Sequence, residues 1–417
     1  MKQLSRLLVL TFFLLTFFAG SDRAFAFPGK FSVSPDSSQG LLLEAIQSAK
    51  QSINLNVYMI SNSKLQQALL DQFNKGVVIN MLIEAEPFGG KITEAEKKML
   101  TAFSQAFQQS KAKQGKSHVY IITSQHGTKK RRYVYDHAKY ITIDGKRAYV
   151  SSENFVSSSA MADPGKKGNR GWQALVDDPS TAKTLDGFFA TDTDPSFGDV
   201  VEFDPSLVDT LDPPAHNPDI PPPNNDRSVQ NFPVMAGDVS KASICASPNS
   251  LSCMVDFMRS AKQSLVLEHL SLPMNWSAGS AQSDATTLNP IIAESIAAAK
   301  RGVKVRIILN ASDSAALPTA APPAQDSAQA VVDYIKGVAR DQRLSIDAAL
   351  INNKDLELTI LHNKGMVADN ARAWVSSING TDNSVINNRE VALRLESLVA
   401  ARYFSDVFEL DWAKSAQ

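Results

Sequence analysis

Hydrophobic and polar positions along the first half of the chain predict an alternation of helices and strands. Apolar residues recur at helical intervals in three segments and form alternating or continuous apolar runs in three others. The predicted helices are 37–50, 64–75 and 93–110, and the predicted strands are 53–60, 77–83 and 118–123. Because strand, helix and strand follow one another closely, the pattern is typical of parallel βαβ units.

The second half repeats this order. Its predicted helices are 250–262 and 290–300, and its predicted strands are 264–272 and 303–309. A glycine follows the corresponding helix in each half, and glycine commonly ends a helix. This long repetition favours a duplicated domain. We therefore expect domains at 27–203 and 241–417, joined by a Pro- and Asp-rich linker at 204–240.

The amino-terminal 26 residues have the organisation of a secretory signal peptide. Lys2 and Arg6 precede an apolar run at 7–18, and Ala24-Phe25-Ala26 provides a small-residue cleavage site. An uncleaved anchor helix is the alternative, but the apolar run is short for a bilayer span. We expect the mature protein to be secreted or periplasmic.

Composition and charge exclude few classes of function. The 417 residues are 43% hydrophobic, enough for two buried cores, and the formal net charge is −1. That charge gives no overall attraction to nucleic acid or membrane, so such a preference must come from local patches. Cys245 and Cys253 are predicted either to form a disulfide after export or to remain buried thiols. No zinc site is expected, because no histidine or second cysteine pair has ligand spacing nearby.

The residues that carry chemistry are also repeated, with each member of the second copy lying 225 positions after its counterpart. The first copy contains His137, Lys139, Asp144, Ser152 and Asn154. The second copy contains His362, Lys364, Asp369, Ser377 and Asn379. Two long copies in register are a much stronger signal than one histidine and lysine pair alone.

Each copy is predicted to form a β-hairpin. His137 and Lys139 are two apart on a strand, so their side chains point to one face. If Asp144 and the next residue form a two-residue turn, Ser152 lies opposite His137; shifting the loop by one residue puts Asn154 there instead. The same count brings Ser377 or Asn379 to His362. The resulting set of nucleophile, cation and neutral donors suits a tetrahedral anion.

This set predicts phosphoryl chemistry. A neutral imidazole can attack phosphorus, and a second imidazole can protonate the departing oxygen. Lys139 and Lys364 would bind the non-bridging oxygens, stabilise the charge that grows in the transition state and disfavour protonation of the histidines. Two lysines with neutral donors can replace the metal ions that many such enzymes need, so no cofactor is expected. Since one copy supplies only half of the groups, the two copies must meet at an interface.

On these residues the sequence resembles the phospholipase D superfamily, whose hallmark is a paired His-x-Lys-x4-Asp followed by Gly/Ser-Ser-x-Asn. Ser151 and Ser376 stand where that family usually has glycine. The resemblance implies two similar phospholipase D-like α/β/α sandwich domains with mixed sheets, related by a pseudo-twofold axis, with one active site at their interface. It also implies metal-independent, two-step chemistry through a phosphohistidine, with His137 as nucleophile and His362 as acid.

The two halves differ in one respect that bears on this mechanism. Asn388-Arg389-Glu390 matches the family's Asn-x-Glu, and the resemblance implies that Glu390 orients His137. The first half has Asn169-Arg170-Gly171 at the comparable place, without a glutamate. Asp163 is the candidate partner for His362. Asp144 and Asp369 are expected either in the site or only in structure, through turn geometry or an ion pair.

Local patches bear on the substrate. Residues 129–132 are Lys-Lys-Arg-Arg, and Lys111, Lys113 and Lys116 lie shortly before them. This cluster could attract lipid headgroups or a nucleic-acid backbone, but a solvated loop is the simpler interpretation, and no aromatic residues are interleaved for base stacking. Three apolar residues are candidates for an acyl-chain rim, although a core position is favoured for each. They are Met274, Trp276 and Trp172.

Three functions follow as hypotheses. The first is a secreted phospholipase D that cleaves the headgroup phosphodiester, with transfer of the phosphatidyl group to an alcohol as a variant. The second is a secreted nuclease using the same site, and the third is an inactive, anion-binding relative. Export, the weak overall charge and the two-domain chain favour the first, with a phospholipid or membrane surface as partner and a monomer as the functional unit.

Overall fold

The computed structural model describes residues 26–87, 90–110, 116–211, 226–229, 232–277, 286–311 and 327–415. The predicted signal peptide, apart from its last residue, lies outside the described residues, as do Lys111 and Lys113. Within the described part of the chain, no helix combines the length and apolar character needed to cross a membrane.

The first half alternates strands and helices as its hydrophobic pattern predicts. Its helices are α1 (Ser38–Gln47), α2 (Ser63–Asn74), α3 (Glu94–Gln109) and α4 (Pro179–Asp192). Its strands are β1 (Phe27–Ser34), β2 (Ser52–Val57), β3 (Ile60–Ser61), β4 (Val78–Glu84), β5 (His118–Ile122), β6 (Lys139–Ile143), β7 (Arg147–Ser151), β8 (Phe155–Val156), β9 (Gly171–Val176) and β10 (Val200–Glu202). A further strand, β11 (Met235–Val239), lies in the segment predicted as the linker.

The second half has the same succession. Its helices are α5 (Leu251–Arg259), α6 (Pro290–Lys300), α7 (Ala328–Gln342), α8 (Asp382–Ile386) and α9 (Leu398–Ser415). Its strands are β12 (Lys241–Ser247), β13 (Ser264–His269), β14 (Asn275–Ser277), β15 (Thr286–Leu288), β16 (Lys304–Leu309), β17 (Ile346–Leu350), β18 (Lys364–Ala368), β19 (Arg372–Ser376) and β20 (Glu390–Glu396).

The main sheets of the two halves share one strand order. The first runs β10-β5-β4-β2-β6-β7-β9-β1-β11, and the second, reversed, runs β17-β16-β13-β18-β19-β20-β12. In each sheet the βαβ strands pair in parallel, as β2 with β4 and β13 with β16, whereas the hairpin strands pair antiparallel. The predicted fold class, two similar α/β domains with mixed sheets, is confirmed.

A shared hydrophobic core joins the halves. Each outer face has its own core, but a third cluster combines Trp172 of β9, Phe189 of α4 and Phe404 of α9 with residues of both sheets. Trp172 stacks on Phe404 with ring centroids 4.6 Å apart. The expected core position of Trp172 is therefore confirmed, and Trp276 is likewise buried, donating to the carbonyl oxygen of Gly380.

Two buried ion pairs cross the interface in matching positions. Arg170 Nε lies 2.8 Å and Nη2 3.0 Å from the carboxylate of Asp411. Arg389 makes the equivalent paired contact with Asp192, at 2.8 and 2.9 Å. Arg170 directly precedes β9 and Arg389 directly precedes β20, so each ion pair clamps the start of one of these strands to the last helix of the other half. A buried pair of this kind is costly to break from one side only.

The segment predicted as a linker does more than join the halves where the structure describes it. β11 extends the first sheet by pairing with β1. Arg227 is buried, forms an ion pair with Asp36 and donates to the carbonyl oxygen of Leu356 at 3.2 Å. The expectation of an extended segment without core contacts is wrong for these residues, because they occupy the seam between the halves.

Cys245 and Cys253 form a disulfide, with their Cα atoms 6.2 Å apart. Cys245 lies on β12 and Cys253 on α5, so the bond ties the first strand of the second half to its first helix. Of the two interpretations open from sequence, the structure therefore has the bonded one.

Candidate active site

The two hairpins that carry the repeated residues have a register different from the predicted one. Ile143 pairs with Arg147, and Lys146 N donates to Ile143 O, so the loop holds three residues rather than two. The paired residues end at Tyr140 and Val150, and neither Ser152 nor Asn154 pairs with His137 along this hairpin. The second hairpin has the same register, with Ala368 paired to Arg372. Both predicted registers are wrong because the loop is one residue longer.

Asp144 and Asp369 hold these loops in place. Each has a left-handed backbone, with φ of 55° and 56°. The carboxylate of Asp144 accepts from the backbone N–H groups of residues 50–52 at 2.7–3.1 Å, and Asp369 accepts from those of residues 262–264 at 2.7–3.0 Å. Both therefore tie the hairpin turn to the start of the neighbouring strand. Of the two interpretations open from sequence, this geometry supports the structural one.

Backbone hydrogen bonds across the interface bring the two histidines together. His137 N donates to Arg389 O at 2.8 Å, and His362 N donates to Arg170 O at 2.9 Å. Each histidine is thus bonded to the residue just before a strand of the other half: His137 to the one before β20, and His362 to the one before β9. Their side chains are only 13% and 12% exposed, so both are largely buried.

Glu390 lies where the sequence predicts it. Its carboxylate oxygens are 2.9 and 3.0 Å from His137 Nδ1, and its side chain is fully buried. Asn388 Nδ2 donates to the same carboxylate at 3.2 Å. Because a carboxylate has no proton to donate at neutral pH, Nδ1–H of His137 is the donor, which leaves Nε2 with its lone pair.

The partner of His362 is Glu153, which the sequence did not suggest. Glu153 Oε2 lies 3.2 Å from His362 Nδ1, and the glutamate side chain is fully buried. The predicted candidate, Asp163, instead pairs with Lys64 on the surface and accepts from Gln39. That prediction is wrong because Asp163 lies after the motif, on an exposed loop, whereas Glu153 lies within it.

Lys139 and Lys364 are buried beside the histidines. Lys139 Nζ donates to His137 O at 2.7 Å, and Lys364 Nζ donates to the carbonyl oxygen of His362 and lies 3.1 Å from its Nδ1. Burial lowers the pKa of Lys139 to about 7 and that of Lys364 to about 8, because loss of water disfavours the ammonium form. The neighbouring glutamates oppose this by raising both pKa values.

Burial and the lysines also lower the pKa of both histidines. Loss of water lowers the pKa of His137 to about 4, and Lys139 contributes to the shift while Glu390 opposes it. The pKa of His362 is lowered by burial and by Lys364. A neutral imidazole at ordinary pH is what a nitrogen nucleophile requires.

The serines and asparagines of the two copies have different positions. Ser152 Oγ accepts from Trp172 N at 2.9 Å, and Ser377 Oγ accepts from Val391 N at 3.1 Å, so both hydroxyls join the hairpin to the next strand. The side-chain carbonyl oxygens of Asn154 and Asn379 are buried without a hydrogen-bond partner in the described part of the chain. The asparagines, more than the serines, are therefore placed to meet a ligand.

Two further residues border the site. The ring of Tyr58 packs edge-on against His137 at 4.6 Å, and Lys139 Nζ lies 5.2 Å from the same ring. His269 is the strand partner of Lys364 and is buried. Its pKa is lowered to about 3 by burial and by Lys364. The sequence signal for Tyr58 and His269 as site residues is their location near the ends of two predicted strands.

A groove of about 650 Å³ lies along the loop that leads to His137. Its lining includes Lys130 and the apolar side chains Val134 and Ile386, which are 48% and 46% exposed. Arg131 and Arg132, in contrast, are paired with acidic residues. Two of the four basic residues at 129–132 are therefore neutralised within the protein.

The fold and the paired histidines define a class, and comparison with known proteins agrees. The family model described as Cardiolipin synthase, PLD-like domain, matches residues 42–193 and 254–412. The chain belongs to this family and hence to the phospholipase D superfamily of phosphodiester-acting proteins. No curated protein sequence matches the chain significantly.

The chain is also similar to solved structures. Phosphatidylserine synthase from Haemophilus influenzae Rd KW20 is similar with a TM-score of 0.57 and 14% identity, over 92% of this chain and 86% of that one. Nuc, a phospholipase D family member from Salmonella typhimurium, has a TM-score of 0.33 and 18% identity, over 42% of this chain and 98% of its own. At these identities the likeness to the synthase concerns the fold alone.

Proposed function

We propose that the protein is a phosphodiesterase of the phospholipase D type that hydrolyses the headgroup phosphodiester of phospholipids. The observation that carries this proposal is the pairing of His137 with Glu390 and His362 with Glu153, beside two buried lysines. Two oriented imidazoles and two cations are the groups that a two-step displacement at phosphorus needs.

In the first step His137 Nε2 attacks phosphorus, and the bond between phosphorus and the headgroup oxygen breaks. His362, as imidazolium, donates its proton to that oxygen, so the headgroup leaves as an alcohol. The negative phosphodiester in the site favours this protonated form of His362. The charge on the non-bridging oxygens is neutralised by Lys139 and Lys364, so the step requires no metal ion.

In the second step neutral His362 accepts a proton from water as the water oxygen attacks phosphorus. The bond between phosphorus and His137 breaks, phosphatidate is released, and His362 is again protonated. An alcohol in place of water would give phosphatidyl transfer by the same route. Glu390 stabilises His137 while its ring carries positive charge in the intermediate.

The groove supports a lipid substrate over a nucleic acid. Its exposed apolar side chains, Val134 and Ile386, beside Lys130 suit a surface that presents both headgroups and acyl chains. A nucleic-acid backbone would favour a longer run of unpaired cations, and Arg131 and Arg132 are already paired.

The test is to offer purified mature protein phosphatidylcholine vesicles and DNA in parallel, with a chelator present. We expect choline release by the wild type, and loss of it in His137→Ala and in His362→Ala. Cleavage of DNA alone would select the nuclease instead, and turnover of neither substrate would favour the inactive, anion-binding relative. Loss of activity on adding the chelator would contradict the metal-independent mechanism.

We also propose export to a secreted or periplasmic location. The signal-like sequence at 1–26 and the disulfide between Cys245 and Cys253 support this. Mass analysis of the protein from its native host should show a chain that begins at Phe27. A retained amino terminus in the cytoplasm would contradict the proposal.

A further inference from the structure

The two halves place a carboxylate beside the opposite histidine from different strands. Glu390 begins β20, and the equivalent first residue of β9 is Gly171: Glu390 pairs with Ser247 just as Gly171 pairs with Ser34. Gly171 has no side chain to offer. The repeated copies differ inversely at a second position, where the first has Glu153 and the second has the buried Ile378.

Glu153 fills the space that a side chain at position 171 would need. A Cβ atom built on Gly171 would overlap Oε1 and Cγ of Glu153. The carboxylate of Glu153 therefore stands where a glutamate from β9 would stand, although it comes from the end of the adjacent strand β7. In this position Glu153 therefore requires glycine at 171.

The surroundings of the two carboxylates match. Asn388 donates to Glu390 at 3.2 Å, and the equivalent Asn169 donates to Glu153 at 3.4 Å. Each carboxylate is fully buried and lies within 3.2 Å of Nδ1 of the opposite half's histidine. The equivalent asparagine thus contacts the carboxylate in both halves, whichever strand supplies it.

We propose that Glu153 is the positioning residue for His362, having replaced the glutamate that position 171 lacks. It accepts Nδ1–H and so leaves Nε2 of His362 facing the headgroup oxygen, and it stabilises the imidazolium that donates the proton. Burial alone would raise the pKa of Glu153, but His362 and Lys364 lower it below its usual value, so the carboxylate stays ionised. This inference rests on the proposed two-histidine mechanism and does not require the lipid substrate.

Two substrates with different leaving groups distinguish a role of Glu153 in proton donation by His362 from a merely structural role. Choline must be protonated as it departs, whereas 4-nitrophenolate departs without a proton. In Glu153→Gln we expect single-turnover release of choline from phosphatidylcholine to fall by about 100-fold or more. Release of the first nitrophenolate from phosphatidyl-4-nitrophenol in the same micelles should fall by less than about tenfold, followed by a slow steady state, because His362 must also activate water.

Two controls make the comparison specific. Glu390→Gln acts on the nucleophile, so it should slow both leaving groups alike. Asp163→Asn, on the exposed loop, should leave both unchanged. If Glu153→Gln slows both leaving groups equally, or slows neither, the proposal is overturned. If the wild type rejects lipids, bis(4-nitrophenyl) phosphate, which has no acyl chains, still tests the role of Glu153: release of the first nitrophenolate should be nearly retained in Glu153→Gln and the steady state slowed, and equal slowing of both would overturn the proposal.

A relocation variant tests the equivalence of the two positions. Gly171→Glu alone should be inactive, since its side chain overlaps Glu153. Combined with Glu153→Ile, which copies the arrangement at Ile378 and Glu390, it should restore choline release to within about tenfold of the wild type. A folded double variant as slow as Glu153→Gln would contradict the relocation. The leaving-group comparison decides the role of Glu153 whether or not this double variant folds.

Discussion

Replacement of Glu390 by glutamine perturbs the nucleophile without changing the shape of the site. In the wild type, both oxygens of the carboxylate lie within 3.0 Å of His137 Nδ1. A hydrogen bond to a charged group contributes about 1.5–3 kcal/mol, and the ring gains positive charge only when it bonds to phosphorus. Losing about 3 kcal/mol of that stabilisation lowers kcat by about 10²-fold.

The same variant should also shift the pH profile. Burial lowers the pKa of Lys139 to about 7, and the charge of Glu390 is the main influence that raises it. The ammonium form of Lys139 is lost as pH rises, so kcat/KM of the wild type should fall above about pH 7. Without the charge of Glu390 this pKa falls further, and the alkaline limb should move to lower pH.

The assay is choline release from phosphatidylcholine vesicles between pH 4 and pH 9, with KM and kcat separated. Glu396→Gln is the matched control, because Glu396 ends the same strand and pairs only weakly, at 3.9 Å, with Lys241. It should behave as the wild type. A Glu390→Gln variant with wild-type kcat, or with an alkaline limb that does not move, would refute the reasoning.

Three other substitutions give distinct outcomes. Arg170→Met leaves the buried carboxylate of Asp411 unpaired and should lower the free energy of unfolding by about 3–5 kcal/mol in denaturant titration; a loss below about 1 kcal/mol would contradict the clamp. Asp369→Ala should lower it by about 1–3 kcal/mol with kcat/KM retained, because three backbone N–H groups lose their acceptor and Arg372 loses its partner, all outside the site; loss of activity in the folded variant would show that Asp369 acts in the site. Gly365→Ala places a methyl group against the ring of Trp172, so its melting temperature should fall; an unchanged melt would show that the seam can adjust.

Much of the fold could be predicted because its signals are local and repeated. The βαβ order follows from hydrophobic spacing, and the duplication is visible in residues that recur 225 positions apart. The contact between Glu390 and His137 could also be predicted, because the resemblance to the family's Asn-x-Glu pattern implies it. These features depend on sequence alone, without knowledge of which strands become neighbours.

The rest depends on three-dimensional register. One extra residue in the hairpin loop changes which residues pair along the hairpin, and sequence cannot distinguish a two-residue loop from a three-residue one at Asp144. Glu153 has no counterpart in the family's Asn-x-Glu pattern, which would place the glutamate at position 171. Its relocation becomes visible only when β7 and β9 are adjacent. A local signal for this relocation is that the equivalent positions 153 and 378 differ, with glutamate in the first copy and isoleucine in the second.

The central claim, a covalent intermediate on one histidine of a composite site, can be tested by trapping. His362→Ala should still let His137 attack phosphatidyl-4-nitrophenol but should hydrolyse the product slowly. Mass spectrometry of the quenched and digested protein should then show a phosphatidyl adduct on the peptide that contains His137, and none in His137→Ala/His362→Ala. An adduct absent while one equivalent of nitrophenolate is released, or found on another residue, would contradict the account.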